Sequence, residues 1–432
     1  MCRVRGAALR DDPSVEVGVA YLEIALRLRK LAPWLVEDYH GPSDLAAAVD
    51  AAPSEGPVEL AEHVRAVRRT LDGAGLDEDR RAWFDAQLAA LDTVLAVLAG
   101  ERFGYRELVE RCHGVLPTFV PESVFAAAHA QLAEVLPGRG DVRTRYQRWA
   151  VGQQVQPERL LAGLHALSEE LRRRTDELVG LPAGEKVTFE LVRDQPWAGY
   201  AEYLGDLRTH VRINTDLPIT SPFLLELASH EAYPGHHTES VCKDDPLIRR
   251  GHVELGVYLY PTPQALLSEG IAEVALEALL GQHVDEIAVQ CLRPLGIPYD
   301  TDVAAVLRQA EKTLMPITAN IAMLLDDGST FDEVSAYAHR WMIHSDAWVS
   351  ETLSALVSRR WPPLESCYPE GLALCRTYIA GDPARFSRLL HEQLPTIDLI
   401  TPPAGDASNS TPPSQAPSRN RSATSDARRG RT

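Results

Sequence analysis

Cysteine is scarce in this sequence, and its six cysteines are scattered along the chain. No CxxC pair occurs among them, so the sequence suggests neither a disulfide framework nor a sulfur-based zinc site. Reduced thiols in a cytoplasmic protein are the expected state. The cysteines are Cys2, Cys112, Cys242, Cys291, Cys367 and Cys375.

The sequence also lacks long apolar runs and an excess of basic charge. No stretch of about 18 uncharged apolar residues occurs, and no apolar segment of the kind found in secretory signals follows the basic N-terminal residues. Acidic residues outnumber basic residues, 61 to 43, for a net charge of -18. Such a surface repels phosphate backbones and anionic lipids. We therefore expect a cytoplasmic protein that binds neither nucleic acid nor membrane.

Aromatic residues make up only 6% of the 432 residues, so Ala, Leu and Val must fill most of the core. Over most of the chain these residues recur at the spacing of amphipathic helices. We divide the chain into an N-terminal helical region (1–180) and a second region (181–400), which together are expected to form one continuous domain. Residues 401–432 are rich in Ser, Pro and Arg, and we expect them to form a disordered tail.

The hydrophobic pattern changes after residue 186. Alternating residues over 187–192, 199–205 and 209–216 predict three strands, and GDLR between the last two is typical of a hairpin turn. Helical periodicity then resumes at residue 221. We therefore predict a mainly α, multi-helix protein with a small antiparallel β-sheet near its active site.

Three of the fourteen histidines fall in one octapeptide, HEAYPGHH, at 230–237. Neutral imidazole nitrogens bind zinc at about 2.0–2.1 Å, and a carboxylate beside the open coordination position can take a proton from water. This combination predicts a metal site centred on His230 and Glu231.

The octapeptide differs from HExxH because Pro234 stands where the second histidine would be. In an unbroken helix, at about 100° per residue, His230 and His237 would share a face and His236 would point away. Pro234 cannot donate a backbone hydrogen bond, and Gly235 permits unusual backbone angles, so we expect the helix to break or bulge. The break would let His236 take the place of the second histidine of HExxH. Helical geometry alone does not decide whether His236 or His237 is the ligand.

A third ligand is expected from the helical segment LLSEGIAEVALEALL at 266–280. Glu269 is the best candidate, and Glu273 lies one turn further along the same face. This pairing suits a site in which Glu269 binds the metal and Glu273 orients a ligand histidine from outside the coordination sphere.

HEAYPGHH followed by SEGIA resembles the bacterial domain-of-unknown-function 885 family, whose members carry HExxPGH and, downstream, an EGWA-type helix. The resemblance extends over residues 205–280 and includes RINTDLP before the motif. It implies a mainly helical, zinc-metallopeptidase-like fold with one zinc ion per chain. It also implies His230, His236 and Glu269 as ligands and Glu231 as general base. The residue after the PGH histidine varies in the family, which favours His236 over His237.

The sequence departs from the family pattern in the downstream helix. Ile271 replaces the usual Trp, and Val274 replaces a frequent Tyr. These differences bear on substrate preference more than on metal binding. The YIAG segment at 378–381 is similar to a C-terminal Tyr-x-x-Gly of the family, which makes Tyr378 a candidate for contact with an oxyanion or substrate.

Together these features predict a zinc-dependent hydrolase, most simply a peptidase acting on a peptide or small amide. The strand at 209–216 is expected to align an extended peptide by edge pairing. Two alternatives stay open. The enzyme could cleave a non-peptide amide or ester, which a substrate panel would reveal. The chain could also be a helical binding protein with a vestigial site, for which a lost ligand or a lost Glu231 would be expected, and neither is lost.

Overall fold

The computed structural model describes residues 12–195, 197–216, 218–244, 246–357 and 364–400. The predicted disordered tail, residues 401–432, lies outside the described residues, as does Cys2. The described residues form nineteen α-helices and five β-strands, so the prediction of a mainly helical protein with little β-structure is confirmed. No helix in the described part of the chain has both the length and the apolar character needed to cross a lipid bilayer.

The first half of the chain is a succession of helices, as its periodicity predicts. Helix α1 (Pro13–Leu31) shows why they begin where they do, because the Asp12 side chain accepts a hydrogen bond from the Ser14 N–H and proline opens the first turn. A short strand that the sequence pattern did not reveal follows α1. The remaining elements are β1 (Val36–Tyr39), α2 (Ser43–Ala51), α3 (Pro57–Thr70), α4 (Glu78–Leu98), α5 (Tyr105–His113), α6 (Glu122–Val135), α7 (Val142–Gly152) and α8 (Pro157–Val179).

The three predicted strands form one sheet, but the prediction that it is antiparallel is wrong. The strands are β2 (Lys186–Val192), β3 (Gly199–Tyr203) and β4 (Arg208–Asn214). Strands β3 and β4 make the expected antiparallel hairpin, whereas β2 pairs in parallel with β4 on its other side. The sheet is therefore mixed, in the order β2-β4-β3. Residue alternation predicts strands but contains no information about which of them become neighbours.

The second half of the chain is again helical, with one short strand. Pro316 interrupts the helical segment over residues 301–326, because proline lacks the backbone N–H that would continue a helix. The elements are α9 (Ser221–Glu231), α10 (His236–Asp244), β5 (Val257–Leu259), α11 (Pro263–Leu280), α12 (Val284–Leu292), α13 (Thr301–Leu314), α14 (Ile317–Asp326), α15 (Phe331–Trp341), α16 (Asp346–Val357), α17 (Leu364–Ile379), α18 (Pro383–His391) and α19 (Thr396–Ile400).

Residues from both predicted regions share the same hydrophobic cores. Tyr21 of α1 and Phe84 of α4 are fully buried in a cluster that also includes Leu259 of β5. Strand β1 pairs antiparallel with β5, and the buried Arg80 Nε donates to Glu254 Oε1 at 2.7 Å. Residues 12–180 therefore do not pack as a separate unit. Pairing with β5 places β1 near the start of α11, the helix that follows β5.

Helix α11 crosses α17 at a pair of glycines. A Cβ atom at Gly270 would lie 2.3 Å from the Gly371 carbonyl oxygen, and one at Gly371 would lie 2.4 Å from the Leu266 carbonyl oxygen. Only glycine permits so close an approach of two backbones. This crossing holds α11, the helix that carries Glu269, against α17.

Candidate metal centre

The octapeptide spans the break between α9 and α10. Helix α9 starts at a Thr220 cap and ends at Glu231, and α10 begins at His236. The chain leaves the helix between them, as Pro234 and Gly235 predict. A Cβ atom at Gly235 would lie 2.0 Å from the His230 carbonyl oxygen, so the turn requires glycine. Because the chain reverses tightly here, the first residue of α10 returns to the end of α9.

Three predicted ligands meet at this turn. The Nε2 atoms of His230 and His236 lie 3.1 Å apart. Glu269 Oε2 lies 3.3 Å from His230 Nε2 and 3.7 Å from His236 Nε2. Donor atoms at 2.0–2.1 Å from a tetrahedral zinc ion are about 3.3 Å from one another. The three atoms therefore have the spacing of a metal coordination sphere, and they form a group with metal-binding potential in the described chain.

The state of Glu269 also fits a cation site. Its Oε2 atom is buried, and no described residue hydrogen-bonds to it. Its Oε1 atom accepts a hydrogen bond from the Tyr260 hydroxyl, which holds the carboxylate in place. The two imidazole nitrogens lie 3.3 and 3.7 Å from this oxygen without hydrogen-bonding to it. A buried carboxylate oxygen without a hydrogen bond is costly, and a metal ion bound by the two imidazoles would satisfy it. Tyr260 escaped the sequence analysis because it precedes α11 in a loop with no motif.

The charges around His230 favour a cation. Burial lowers the pKa of the His230 imidazole, but the carboxylates of Glu269, Glu231 and Glu273 outweigh burial and raise that pKa to about 10. Burial also lowers the pKa of His236, but the Glu269 carboxylate outweighs burial and the net shift is upward. The cluster thus attracts positive charge, which a zinc ion would supply in place of protons.

The Nδ1 atoms of His230 and His236 each face a polar side chain. Glu273 Oε1 lies 3.5 Å from His230 Nδ1, in the position predicted for a group that orients a ligand histidine. Ser268 Oγ lies 3.3 Å from His236 Nδ1. Contacts of this kind set the ring orientation of metal-binding histidines. Here they leave both Nε2 atoms free to face the space between the three donor atoms.

Glu231 stands beside the three donor atoms without being one of them. It is buried at the end of α9, and the backbone N–H of Ala201 in β3 is close enough to its carboxylate to lower its pKa. Burial raises the pKa of Glu231, whereas the nearby imidazoles of His230 and His236 lower it, and the net shift is upward. A carboxylate held beside the cluster, with a raised pKa, is suited to accept a proton.

His237, the alternative ligand, points away from the cluster. The side chain is fully buried. Its Nε2 atom lies 2.9 Å from Glu185 Oε2, and its Nδ1 atom lies 2.7 Å from Thr209 Oγ1. Of the two histidines that helical geometry left open, the structure therefore brings His236 to the cluster and engages both ring nitrogens of His237 elsewhere.

Glu185 is the centre of the network that holds His237. Its Oε2 atom also accepts from the Tyr233 hydroxyl at 2.5 Å, and its Oε1 atom accepts from Arg172 Nε at 2.5 Å. These bonds tie the loop of the octapeptide to α8 and to the start of β2. The network supports the turn that brings His236 back to His230, and no pattern in the sequence indicated it.

Removing Glu185 should therefore destabilise the protein. The Glu185→Ala variant leaves His237 and Tyr233 buried without their partner, and we expect the free energy of unfolding to fall by about 3 kcal/mol. Urea denaturation followed by circular dichroism measures this change. Glu169→Ala is the matched control, since Glu169 is exposed on α8 and its loss should cost less than about 0.5 kcal/mol. Equal stability of the two variants would show that the network does not support the turn.

Tyr378 does not lie where the prediction of an oxyanion or substrate contact requires. It is buried in the core formed by α11, α17 and α18, and its ring faces the Arg385 guanidinium at 5.8 Å. The side chain is therefore part of the packing between these helices. Tyr368, nearly three turns earlier on α17, reaches the cluster instead, and its ring stacks on that of His230 with 6.5 Å between the ring centroids.

The cluster opens into a cavity of about 140 Å³, which we call the metal cavity. Its walls combine the ligand residues with side chains from β1, the segment before β3, and α17. Most of these wall residues were not found from the sequence, because they lie in no motif and, apart from Ser240, far from the octapeptide in the chain. They include Glu37, Asp38, Trp197, Tyr200, Ser240, Tyr258 and Tyr368.

The charge of the metal cavity is acidic. Desolvation at the cavity wall raises the pKa of Glu37, although its side chain is partly exposed, and the carboxylates of Glu269 and Asp38 add to the shift. Enclosure likewise raises the pKa of Asp38 to about 6, although the Tyr200 hydroxyl donates to it at 2.6 Å. None of the described residues that line this cavity is Lys or Arg. The cavity therefore favours neutral or cationic groups over carboxylates.

No protein-family model matches the sequence, and no curated protein matches it. Two solved structures align with much of the chain, each with a TM-score of 0.47. One is a candidate lipoprotein from Colwellia psychrerythraea, with 16% identity over 83% of this chain and 61% of that one. The other is a candidate lipoprotein of unknown function from Shewanella oneidensis, with 11% identity over 79% and 72%. The chain thus spans less than two thirds of the Colwellia protein. Such alignments assign neither family nor function, and membership of the family that the motif resembles stays a prediction.

Proposed function

We propose that this chain is a zinc-dependent hydrolase, and specifically a peptidase, with one zinc ion per chain on His230, His236 and Glu269. The observation that carries the proposal is the spacing of these three donor atoms, 3.1 to 3.7 Å, beside the buried carboxylate of Glu231. A zinc ion held there would lower the pKa of a water molecule and polarise a substrate carbonyl.

Glu231 supplies the proton transfers in this proposal. Its carboxylate accepts a proton from the attacking water and passes it to the leaving amine. The end of α9 and the Gly199 backbone of β3 surround the carboxylate closely, so little reorganisation is needed during the reaction. Tyr260 and Glu273 act indirectly, because each holds a ligand side chain in its orientation.

The strand that faces the metal cavity is β3, and not the segment 209–216 that was expected to align a peptide. That segment forms β4, which is hydrogen-bonded to strands on both sides. The backbones of Ala198 and Leu204, which flank β3, hydrogen-bond to the two end residues of β4. Because hydrogen-bonded residues alternate along an antiparallel pair, the backbone N–H and C=O groups of Gly199 and Ala201 point away from β4. Gly199 and Ala201 also line the cavity. We propose that an extended peptide lies along this edge.

Metal analysis and a substrate panel test the proposal together. The purified protein should contain about one zinc ion per chain. Chelation should abolish its hydrolysis of peptides, and added zinc should restore it. Comparison of peptides with non-peptide amides and esters identifies the bond that is cleaved. A protein that binds neither zinc nor manganese nor cobalt, and cleaves no member of the panel, would overturn the proposal.

Gly199→Ala should lower turnover without loss of zinc. A Cβ atom at position 199 would lie 2.6 Å from Glu231 Oε1, so the carboxylate would have to move while the three donor atoms stay in place. Because a displacement of about 1 Å can cost on the order of 100-fold in rate, we expect kcat to fall at least 10-fold. Gly152→Ala is the control, since a Cβ atom there meets nothing within 4 Å. Unchanged kcat in Gly199→Ala would argue against Glu231 as the base.

A further inference from the structure

We infer that a second cavity, beside the metal cavity, binds a large apolar side chain of the substrate, aromatic or long aliphatic, next to the bond that is cleaved. The inference rests on the proposed hydrolase function and specifies its substrate class. We call this second space the apolar cavity. Its volume is about 310 Å³, which lies at the lower end of the range for small-ligand sites, about 300–1,000 Å³.

The walls of the apolar cavity come from the junction of α13 with α14 and from the residues between α15 and α16. Most of the described wall side chains are aliphatic, thioether or aromatic, so the cavity suits an apolar group that leaves water. The apolar wall residues are Leu314, Met315, Ile317, Met342, Ile343 and Trp348.

Tyr368 connects the two cavities. It lines both of them, and its ring stacks on the imidazole of His230. Residues of an extended peptide advance by about 3.3 Å each, so a peptide with its carbonyl at the metal cluster has a neighbouring side chain within reach of this shared wall. The apolar cavity is therefore placed to receive the side chain on one side of the scissile bond.

The polar residues of the apolar cavity do not favour a charged substrate group. Burial raises the pKa of Glu311 to about 8, with a contribution from Glu226. Burial lowers the pKa of His344 to about 4, and the His344 ring stacks on Trp348 with 4.2 Å between centroids. Both shifts favour the uncharged form of these groups, whereas a substrate Lys or Asp would need a charged partner.

Peptide binding to Glu231→Gln protein tests the inference without requiring turnover. Peptides that differ only in one residue beside the scissile bond, on either side of it, would carry Phe, Leu, Ser, Lys or Asp. Calorimetry should show that Phe or Leu on one of the two sides binds roughly 10- to 100-fold more tightly than Ser, because burial of such a side chain gains that much. The Lys and Asp peptides should bind no better than the Ser peptide.

Filling the apolar cavity should remove this preference. Thr318 lies in its wall, partly exposed, and its hydroxyl donates to the Met315 carbonyl oxygen. Introduced into the Glu231→Gln protein, Thr318→Trp should reduce the advantage of Phe over Ser at least 10-fold. Thr313→Trp is the matched control, since Thr313 makes the same kind of bond to Gln309 outside the cavity wall. Met315→Ala widens the cavity and should shift the preference from Phe towards Trp, whether or not Thr318→Trp folds.

The outcomes separate this inference from the proposed function. Hydrolysis of peptides by the native protein with no preference for Phe or Leu, or with a preference for Lys, would overturn the apolar cavity as a substrate site and leave the hydrolase intact. Survival of the Phe preference in folded Thr318→Trp protein would also overturn it. Tight binding of Phe peptides, lost in Thr318→Trp, in a protein that hydrolyses nothing would support the cavity and overturn the hydrolase.

Discussion

Glu231→Gln protein should retain its zinc and lose most of its turnover. The amide has nearly the shape of the carboxylate, so the turn and the three donor atoms of the cluster should be unchanged. It cannot accept a proton, however, and loss of a general base typically costs about 10²–10⁴-fold in rate. We expect kcat to fall by that factor while the zinc content stays near one ion per chain.

Steady-state kinetics and elemental analysis of the same preparation measure the two quantities together. Glu202→Gln is the matched control. Glu202 belongs to β3, the strand next to Glu231, but it pairs with Arg212 at 2.9 Å and does not line the metal cavity. Its replacement should leave kcat within about twofold, because its carboxylate is engaged by Arg212 and touches none of the proposed reacting groups. Full activity in Glu231→Gln protein would remove the proposed mechanism.

Replacing any of the three predicted ligands should instead release zinc. His230→Ala, His236→Ala and Glu269→Ala each leave two protein donors, and two donors hold the ion poorly. Loss of a residue that merely orients a ligand already weakens binding about 10–100-fold, so we expect the affinity to fall by more than roughly 100-fold. Competition with a chelator of known affinity measures the change, and activity should disappear with the metal.

His237→Gln is the control for the histidine variants. His237 adjoins His236 in sequence but bonds to Glu185 and Thr209, so its replacement should lower the melting temperature and leave the zinc affinity nearly unchanged. Circular dichroism establishes that each variant is folded before its metal content is compared. Zinc loss from folded His237→Gln protein, with retention in His236→Ala, would show that the assignment of the second histidine is wrong.

Local features of this protein follow from its sequence because they depend on neighbouring residues. The periodicity of apolar residues predicts the helices, since it decides which face of a helix can be buried. Alternation predicts strands β2, β3 and β4 for the same reason. The break after Glu231 follows from the backbone limits of proline and the freedom of glycine, and the structure ends α9 there.

Contacts between distant segments were decided only by the tertiary structure. The sequence did not show that β4 lies between β2 and β3, because strand pairing depends on how the connections pack. Nor did it reveal that Tyr260 would hold Glu269, or that Tyr378 would be buried in a core while Tyr368 reached His230. Each of these results depends on where an entire helix or loop is placed.

The choice between His236 and His237 shows most clearly what the sequence determined and what the tertiary structure decided. The residues of the octapeptide determined that the helix must break, and hence that His236 could turn towards His230. They did not determine the direction of His237, because that depends on Glu185 and Thr209, 52 and 28 residues away in the chain. A buried imidazole takes the orientation in which its nitrogens find hydrogen-bond partners. Those partners exist only once β2, β4 and α10 have packed together.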